Sequence, residues 1–389
     1  MLFRSLQVTF HEATHTVVQH IAPRPAATVE HADLEPLPAD QRATACAQIV
    51  AAARLHRFDL ASWPPFSATL IRVDPEDHVF VIALPHILTD RWSADLLFRD
   101  LAELYRAELA GTAPALPPLR LDHIDYVLWQ RARAMQAQLG RHLEFWRTAL
   151  AGAPESLPLA TAMASPAASQ ATGNVSFQLD DELVRRLREI AREHAATFYH
   201  VLMAGFFALL HRYTEADDIV IGTSVHNRSD DSLSQVVGCF MDHVPVRAKL
   251  AKRASFATLL SEVRDFATSA FSHYVPLGAL LDELGPTRHA EHDPVFQVTF
   301  NLVRRKPQAP FPGCRVERRV GSLEIDRLYL NLNLLETDDC VVASLDYSAT
   351  RFEPSMAEQL AAHYVVLIEA AIVDPGRPIE DLAMLRDDD

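Results

Sequence analysis

The stretch covering residues 79–93 restricts the fold more than any other part of the chain. Val79, Phe80, Val81, Ile82, Ala83 and Leu84 form an unbroken apolar run, the pattern of a buried strand. Pro85 stops it, His86 follows, and Asp90 comes four residues later, just before an amphipathic helix. A strand fixes the backbone while its end exposes the side chain, so His86 is presented with a fixed aim, as at the mouth of a cleft. The plainer reading has His86 as a hydrogen-bonded structural residue and Asp90 as the helix cap.

The surrounding pattern extends this junction into an α/β chain. Residues 6–10 and 16–20 alternate as strands, and a proline-rich connection leads to a helical stretch over 42–53. Residues 68–73 and 78–84 pair as a hairpin around Asp74, Pro75, Glu76 and Asp77. Leu96, Leu97, Leu101, Leu104, Tyr105 and Leu109 recur at helical spacing over 92–110. A single long helix is predicted over 124–150, with Trp129 and Trp146 as core anchors. Residues 161–172, rich in Ala, Ser and Pro, read as a linker.

Beyond the linker come a strand at 174–179, a helix opened by Asp180, Asp181 and Glu182, and a helix over 197–213 that is apolar nearly all round. Further helices at 256–271 and 353–371 flank strands near 328–334 and 341–347.

Composition removes several function classes. At 389 residues the chain can hold two domain-sized cores. A net charge of −15 argues against a nucleic-acid partner, which needs basic patches. Cys46, Cys239, Cys314 and Cys340 lie far apart, in no disulfide framework or zinc motif, which fits a reducing cytoplasm. The longest apolar helix candidate, 198–210, is too short for a membrane span. Neither a glycine-rich phosphate loop nor a Gly-x-Ser-x-Gly elbow is present. His289, Glu291, His292 and Asp293 have loosely metal-like composition but irregular spacing, and read as a solvated loop, so no metal is expected.

Residues 85–91 resemble the His-His-x-x-x-Asp-Gly motif of nonribosomal peptide synthetase condensation domains, relatives of chloramphenicol acetyltransferase. The motif's second His falls on His86 and its Asp on Asp90, while Pro85 replaces the first His and Arg91 the Gly. Other segments resemble the family in the same order. Asp125, Tyr126, Trp129 and Gln130 match its Asp-Tyr-Ala-x-Trp-Gln, and Phe145, Trp146, Leu150, Gly152 and Pro154 its Tyr-Trp…Leu-x-Gly-x-Pro. Gly222, Thr223 and Arg228 match its Gly-Thr-Pro-x-x-x-Arg, and Gly238, Phe240, Pro245 and Arg247 its Ile-Gly-x-Phe-x-Asn-x-x-Pro-x-Arg, with Asp242 in place of Asn. His273 and Pro276, then Pro294, Phe296 and Phe300, continue the series.

The resemblance implies an α/β sandwich of two chloramphenicol acetyltransferase-like lobes, 1–165 and 173–389, joined by a linker at 166–172, with His86 facing a tunnel between them. The family carries an N-terminal strand and helix ahead of the segment that residues 1–10 resemble, so the N-terminal lobe is expected to be incomplete.

The implied reaction joins a carrier-bound acyl thioester to an amine or hydroxyl nucleophile in peptide or related secondary-metabolite synthesis. No cofactor is held permanently, because phosphopantetheine arms of donor and acceptor carrier proteins bring the substrates; neither nucleic acid nor membrane is a partner. His86, with an unperturbed pKa near ~6.5, would accept the nucleophile's proton or hydrogen-bond it into place. Asp90 would pair with Arg228 from the second lobe. Arg91 either recognises an acidic donor, blocks the site, or points into solvent. Ser224, Asp242 and His273 are candidate lining residues. The alternatives are an inactive condensation-like module that recruits partner proteins, and an epimerisation-type domain; heterocyclisation is disfavoured because that branch replaces the motif His with Asp.

Overall fold

A computed structural model of the chain describes residues 6–13, 16–21, 28–159, 172–228, 230–285, 293–305, 309–319, 328–337 and 340–386. Backbone packing divides the chain into two compact units, each discontinuous in sequence. The first comprises Met1–Met135, His226–Met241 and Gln308–Gly321, the second Gln136–Val225, Asp242–Pro307 and Ser322–Asp389. The linker expected at 166–172 lies outside the described residues except for Thr172, which opens a strand.

In the first unit β1 (Val8–Ala13) and β2 (Thr16–Ile21) form an antiparallel hairpin. A separate three-stranded sheet has the order β3 (Glu30–Asp33), β4 (Ser67–Asp74), β5 (Asp77–Ala83). β3 falls where the sequence suggested only a connection. It pairs parallel with β4, whereas β4 and β5 are antiparallel across the predicted turn. Helix α1 (Ala39–Leu55), mostly alanine on its apolar positions, packs on β4 and β5 with no residue fully buried.

After β5, Pro85 adopts φ −66°, ψ 144°, and the residues His86–Leu88 make one 3-10 turn anchored by buried Leu88. Asp90 then caps α2 (Arg91–Ala110), which ends at Gly111 in the left-handed region, φ 62°, with its N–H on the carbonyls of Ala107 and Glu108.

The helix expected over 124–150 is two helices, α3 (His123–Arg131) and α4 (Arg133–Ala149). Ala132 separates them with an extended ψ of 148°. No Gly or Pro marks the break, so the hydrophobic pattern runs across it. Trp129 is correspondingly not a core anchor. It is 56% exposed, lying 6.0 Å from the ring of Tyr126, the one buried residue of α3.

The second unit begins within α4, where Trp146, 1% exposed, packs with Leu150, Val244, Ala270, Val275 and Leu280. That contact explains why the chain divides earlier than the Ala/Ser/Pro stretch suggested. β6 (Thr172–Leu179) leads to α5 (Asp181–Glu193), capped by Asp180, and to α6 (Phe198–Thr214), in which every residue from His200 to Leu210 is buried. β7 (Asp218–Val225), β8 (Asp242–Lys249), α7 (Phe256–Ser272), α8 (Leu277–Leu284), β9 (Val298–Arg304), β10 (Leu330–Glu336), β11 (Val341–Ser348) and α9 (Pro354–Val373) complete it. The strand order is β6-β11-β10-β9-β7-β8, with β9 parallel to β10 and β7 and the other pairs antiparallel.

The period of two along these strands divides the faces. Leu330, Leu332, Leu334, Val341, Ala343 and Leu345 enter a core shared with α5, α6, α7 and α9. Asn331, Asn333, Ser344 and Asp346 alternate with them and carry a polar network on the opposite face, in which Asn333 Nδ2 and Asn174 Nδ2 donate to Asp346 at 3.1 and 2.6 Å. Burial holds the Asp346 carboxyl above the usual carboxylate range. Among the described residues α9, and not residues 198–210, is long and apolar enough by composition to cross a membrane. Its Leu360, Tyr364, Leu367 and Ile368 instead belong to the core.

Candidate active site

The motif aspartate is both a helix cap and half of an ion pair. Asp90 Oδ1 accepts the backbone N–H of Ser93 at 2.7 Å, and Oδ2 that of Phe240 at 3.0 Å. Arg228 Nη2 donates to Oδ1 and Oδ2 at 3.3 and 3.4 Å, with the two side chains 2% and 0% exposed. Both residues belong to the first unit, because the segment between β7 and β8 packs there; the sequence had placed Arg228 in the second lobe. The contact is one nitrogen across two oxygens, not a parallel fork.

The other Arg228 donor explains why. Nη1 goes to the carbonyls of Leu233 and Val236, both at 2.7 Å, and Nη2 also reaches Ser93 Oγ at 2.8 Å. The guanidinium lies 3.9 Å from the Phe240 ring centroid and 5.7 Å from that of Trp92. Burial pulls Arg228 below the usual arginine range, and the Asp90 charge opposes this.

The loop over residues 233–240 is thereby fastened to the start of α2. Ser93 Oγ donates to the Gly238 carbonyl at 2.7 Å and accepts the Gly238 N–H at 3.0 Å, and Trp92 Nε1 donates to the Ser234 carbonyl at 2.9 Å. Behind the loop, His123 Nε2–H donates to the Cys239 carbonyl at 3.0 Å, and burial draws the His123 pKa down. A Cβ on Gly238 would stand 2.3 Å from the His123 ring, so only glycine permits this approach.

The clamp fixes Cys239. Its Sγ stands 3.8 Å from Nδ1 of His86, which is exposed at the start of the 3-10 turn. Among the described residues His86 Nε2 has no hydrogen-bond partner in the chain, so the imidazole has one nitrogen held by the protein and one turned to other partners. Sequence reasoning missed Cys239 and His123. Cys239 occupies the variable position of the Gly-x-Phe segment, and His123 precedes the matched aromatic segment, so neither carried a motif signal.

A family model described as Condensation domain matches residues 4–389. The chain is a condensation domain. It is 31% identical over 386 residues to one of the linear gramicidin synthase proteins of Brevibacillus parabrevis, covering 98% of this chain and 8% of that protein. To the phosphinothricin tripeptide synthetase PhsC of Streptomyces viridochromogenes it is 31% identical over 375 residues, 95% of this chain and 34% of that protein. The domain thus spans a minor part of both relatives.

Among solved structures, the X-domain from teicoplanin biosynthesis superposes with a TM-score of 0.88 at 28% identity, covering 99% of this chain and 87% of that one. The first condensation domain of the calcium-dependent antibiotic synthetase shares the fold, with a TM-score of 0.79 at 21% identity over 99% of this chain and 88% of the other. The mixed α/β, chloramphenicol acetyltransferase-like fold is the one the sequence led us to expect.

The remaining candidates of the condensation domain have local partners. Arg91 is the half-buried first residue of α2. In the second unit, the backbone N–H of Ser224 donates to Asn301 Oδ1 at 3.0 Å. Asp242 Oδ2 accepts the Tyr274 hydroxyl at 2.8 Å and the Leu277 N–H at 3.0 Å, fixing the start of α8. His273 Nδ1–H donates to the Ser269 carbonyl at 2.8 Å and its ring stacks on Phe145 at 4.2 Å. The structure thus unites His86, Asp90 and Arg228 in one unit and gives Asp242 and His273 structural contacts in the other. His289, Glu291 and His292 lie outside the described residues; among those described, no group of three His, Cys, Asp or Glu side chains is placed to hold a metal.

Proposed function

We propose that this condensation domain is an acyltransferase that joins a carrier-bound acyl thioester to an amine or hydroxyl nucleophile, with His86 handling the transferred proton. The observation that carries the reading is the exposed His86 ring, held at Nδ1 beside Cys239 on a turn that the Asp90–Arg228 pair locks from beneath. Thioester aminolysis is already downhill, so such a site needs mainly to align reactants and manage one proton. When Nδ1–H points at Cys239 Sγ, the Nε2 lone pair faces outward and accepts the nucleophile's proton. Asp90 and Arg228 do not touch the reaction. They keep the turn and the loop from relaxing.

Donor and acceptor carrier proteins are the partners under this reading, and their phosphopantetheine arms deliver the substrates. Arg91 adds a guanidinium where relatives of this type have glycine, which suits a donor bearing a carboxylate. The test is intact-mass spectrometry of two loaded carriers mixed with the domain. An acyl group moving to the acceptor carrier supports the reading, and acceptor unchanged at every donor chain offered defeats it.

A second reading, a module that recruits a partner protein, draws support from Pro85 in place of the first motif His and from the likeness to the teicoplanin X-domain, whose complex with OxyB has been solved. Capture of a purified protein of the OxyB type by a domain that moves no acyl group would favour it.

A further inference from the structure

Cys239 has a neighbourhood unlike that of the other cysteines. Cys314 is exposed beside the Tyr105 hydroxyl at 3.5 Å, and Cys340 is half-buried in a turn with Thr337. Cys239 is also half-buried, yet its sulfur faces an imidazole at 3.8 Å, the arrangement in which a thiol and a base act together. Its backbone is fixed on both sides: the Gly238 N–H and C=O are bound by Ser93, the Phe240 N–H by Asp90, and the Cys239 carbonyl itself by His123. Arg228, bound to the carbonyls of Leu233 and Val236 in the same loop and packed on Phe240, adds a buried positive charge nearby.

The geometry points to Cys239 as an acyl-accepting nucleophile that takes the acyl group of a pantetheine-type thioester onto its own sulfur. The inference takes its substrate class from the acyltransferase reading above. His86 Nδ1 removes the thiol proton and the sulfur attacks the thioester carbonyl. The new carbon–sulfur bond to Cys239 forms as the bond to the incoming thiol breaks, and the imidazolium returns its proton to the departing thiolate. One thioester replaces another, so no oxidant or energy source is required. This use of His86 starts from the Nε2–H tautomer, the opposite of the one the condensation step needs, and restores that tautomer once the departing thiolate has been protonated.

The experiment treats the full chain with the acetyl thioester of N-acetylcysteamine, quenches in acid, and reads intact mass and peptide mass, with iodoacetamide labelling of a parallel sample to verify that Cys239 is reduced and reachable. We expect one acetyl group, on Cys239, removed by neutral hydroxylamine. It should be absent in Cys239→Ser at an unchanged unfolding midpoint, and should form at least tenfold more slowly in His86→Ala. Acetyl spread equally onto exposed Cys314, a rate indifferent to His86→Ala, or an unacylated Cys239 that iodoacetamide labels readily would each overturn the inference. The readout is an adduct, so a chain that acylates Cys239 without joining two carriers overturns the condensation reading alone, and a chain that joins carriers with Cys239 bare overturns this one alone.

Discussion

Replacing Asp90 by Ala should be the most damaging single change to the first unit. The carboxylate accepts two backbone N–H groups and one guanidinium, all buried, and no other described acceptor serves the Ser93 and Phe240 amides. Stranding a buried charge after its partner is removed costs about 3–5 kcal/mol. Loss of the α2 cap, typically worth about 1 kcal/mol, falls within that total because the same oxygens serve both roles. Urea unfolding should therefore show a fall of about 3–5 kcal/mol, and hydrogen exchange at the Ser93 and Phe240 amides should accelerate by more than at any α9 amide.

A double-mutant cycle isolates the pair. Arg228→Met alone takes the side-chain donor from the Val236 carbonyl and one of two donors from the Leu233 carbonyl, but in the Asp90→Ala background it also removes the stranded charge, so the two changes should couple by about 1–3 kcal/mol. Strict additivity, or an Asp90→Ala cost below about 1 kcal/mol, would refute the claim that this pair holds the loop.

Other outcomes follow from particular contacts. Burial depresses the folded-state pKa of His123, with Arg228 adding to the shift and Asp90 opposing it. That contribution to stability is therefore present above the unfolded value of about 6.5 and is lost as pH falls through it to the folded value. Urea midpoints compared at about pH 7.5 and 5 should drop further for the parent than for His123→Asn, and equal drops would contradict the assignment. Gly238→Ala should cost about 1–3 kcal/mol because its methyl meets the His123 ring, whereas Gly140→Ala, with open space around it in α4, should add about 0.5–1 kcal/mol; calorimetric midpoints read both signs. Arg91→Gly should lower turnover of an acidic donor about tenfold relative to a neutral one, and an unchanged ratio would remove Arg91 from donor recognition.

The chain showed its elements where the local pattern and the packing agree. Pro85 after an apolar run, Asp180 before an acidic turn, and the helix over 197–213, apolar nearly all round, each announced a structure that tertiary contacts then used. The break at Ala132 was not legible because Arg131, Ala132 and Arg133 are all compatible with a helix, and only the extended ψ ends it. Trp129 misled for a related reason: an apolar residue at helical spacing need not reach a core when its helix is short.

At the site, the motif identified His86, Asp90 and Arg228, and the carboxylate satisfies both readings open to it, cap and ion pair. Cys239 and His123 were invisible because their importance comes from a loop contributed by residues 226–241, far away in sequence, that folds onto the start of α2. The same loop moved Arg228 out of the lobe to which its sequence position assigned it.

The central claim is that the exposed imidazole of His86 does chemistry. Single-turnover acyl transfer from a loaded donor carrier, followed by rapid quench and intact mass for the parent and His86→Ala at matched folded fraction, addresses it directly. The account predicts a rate loss of about 10²–10⁴-fold with donor binding retained. A variant that transfers within about threefold of the parent would contradict it.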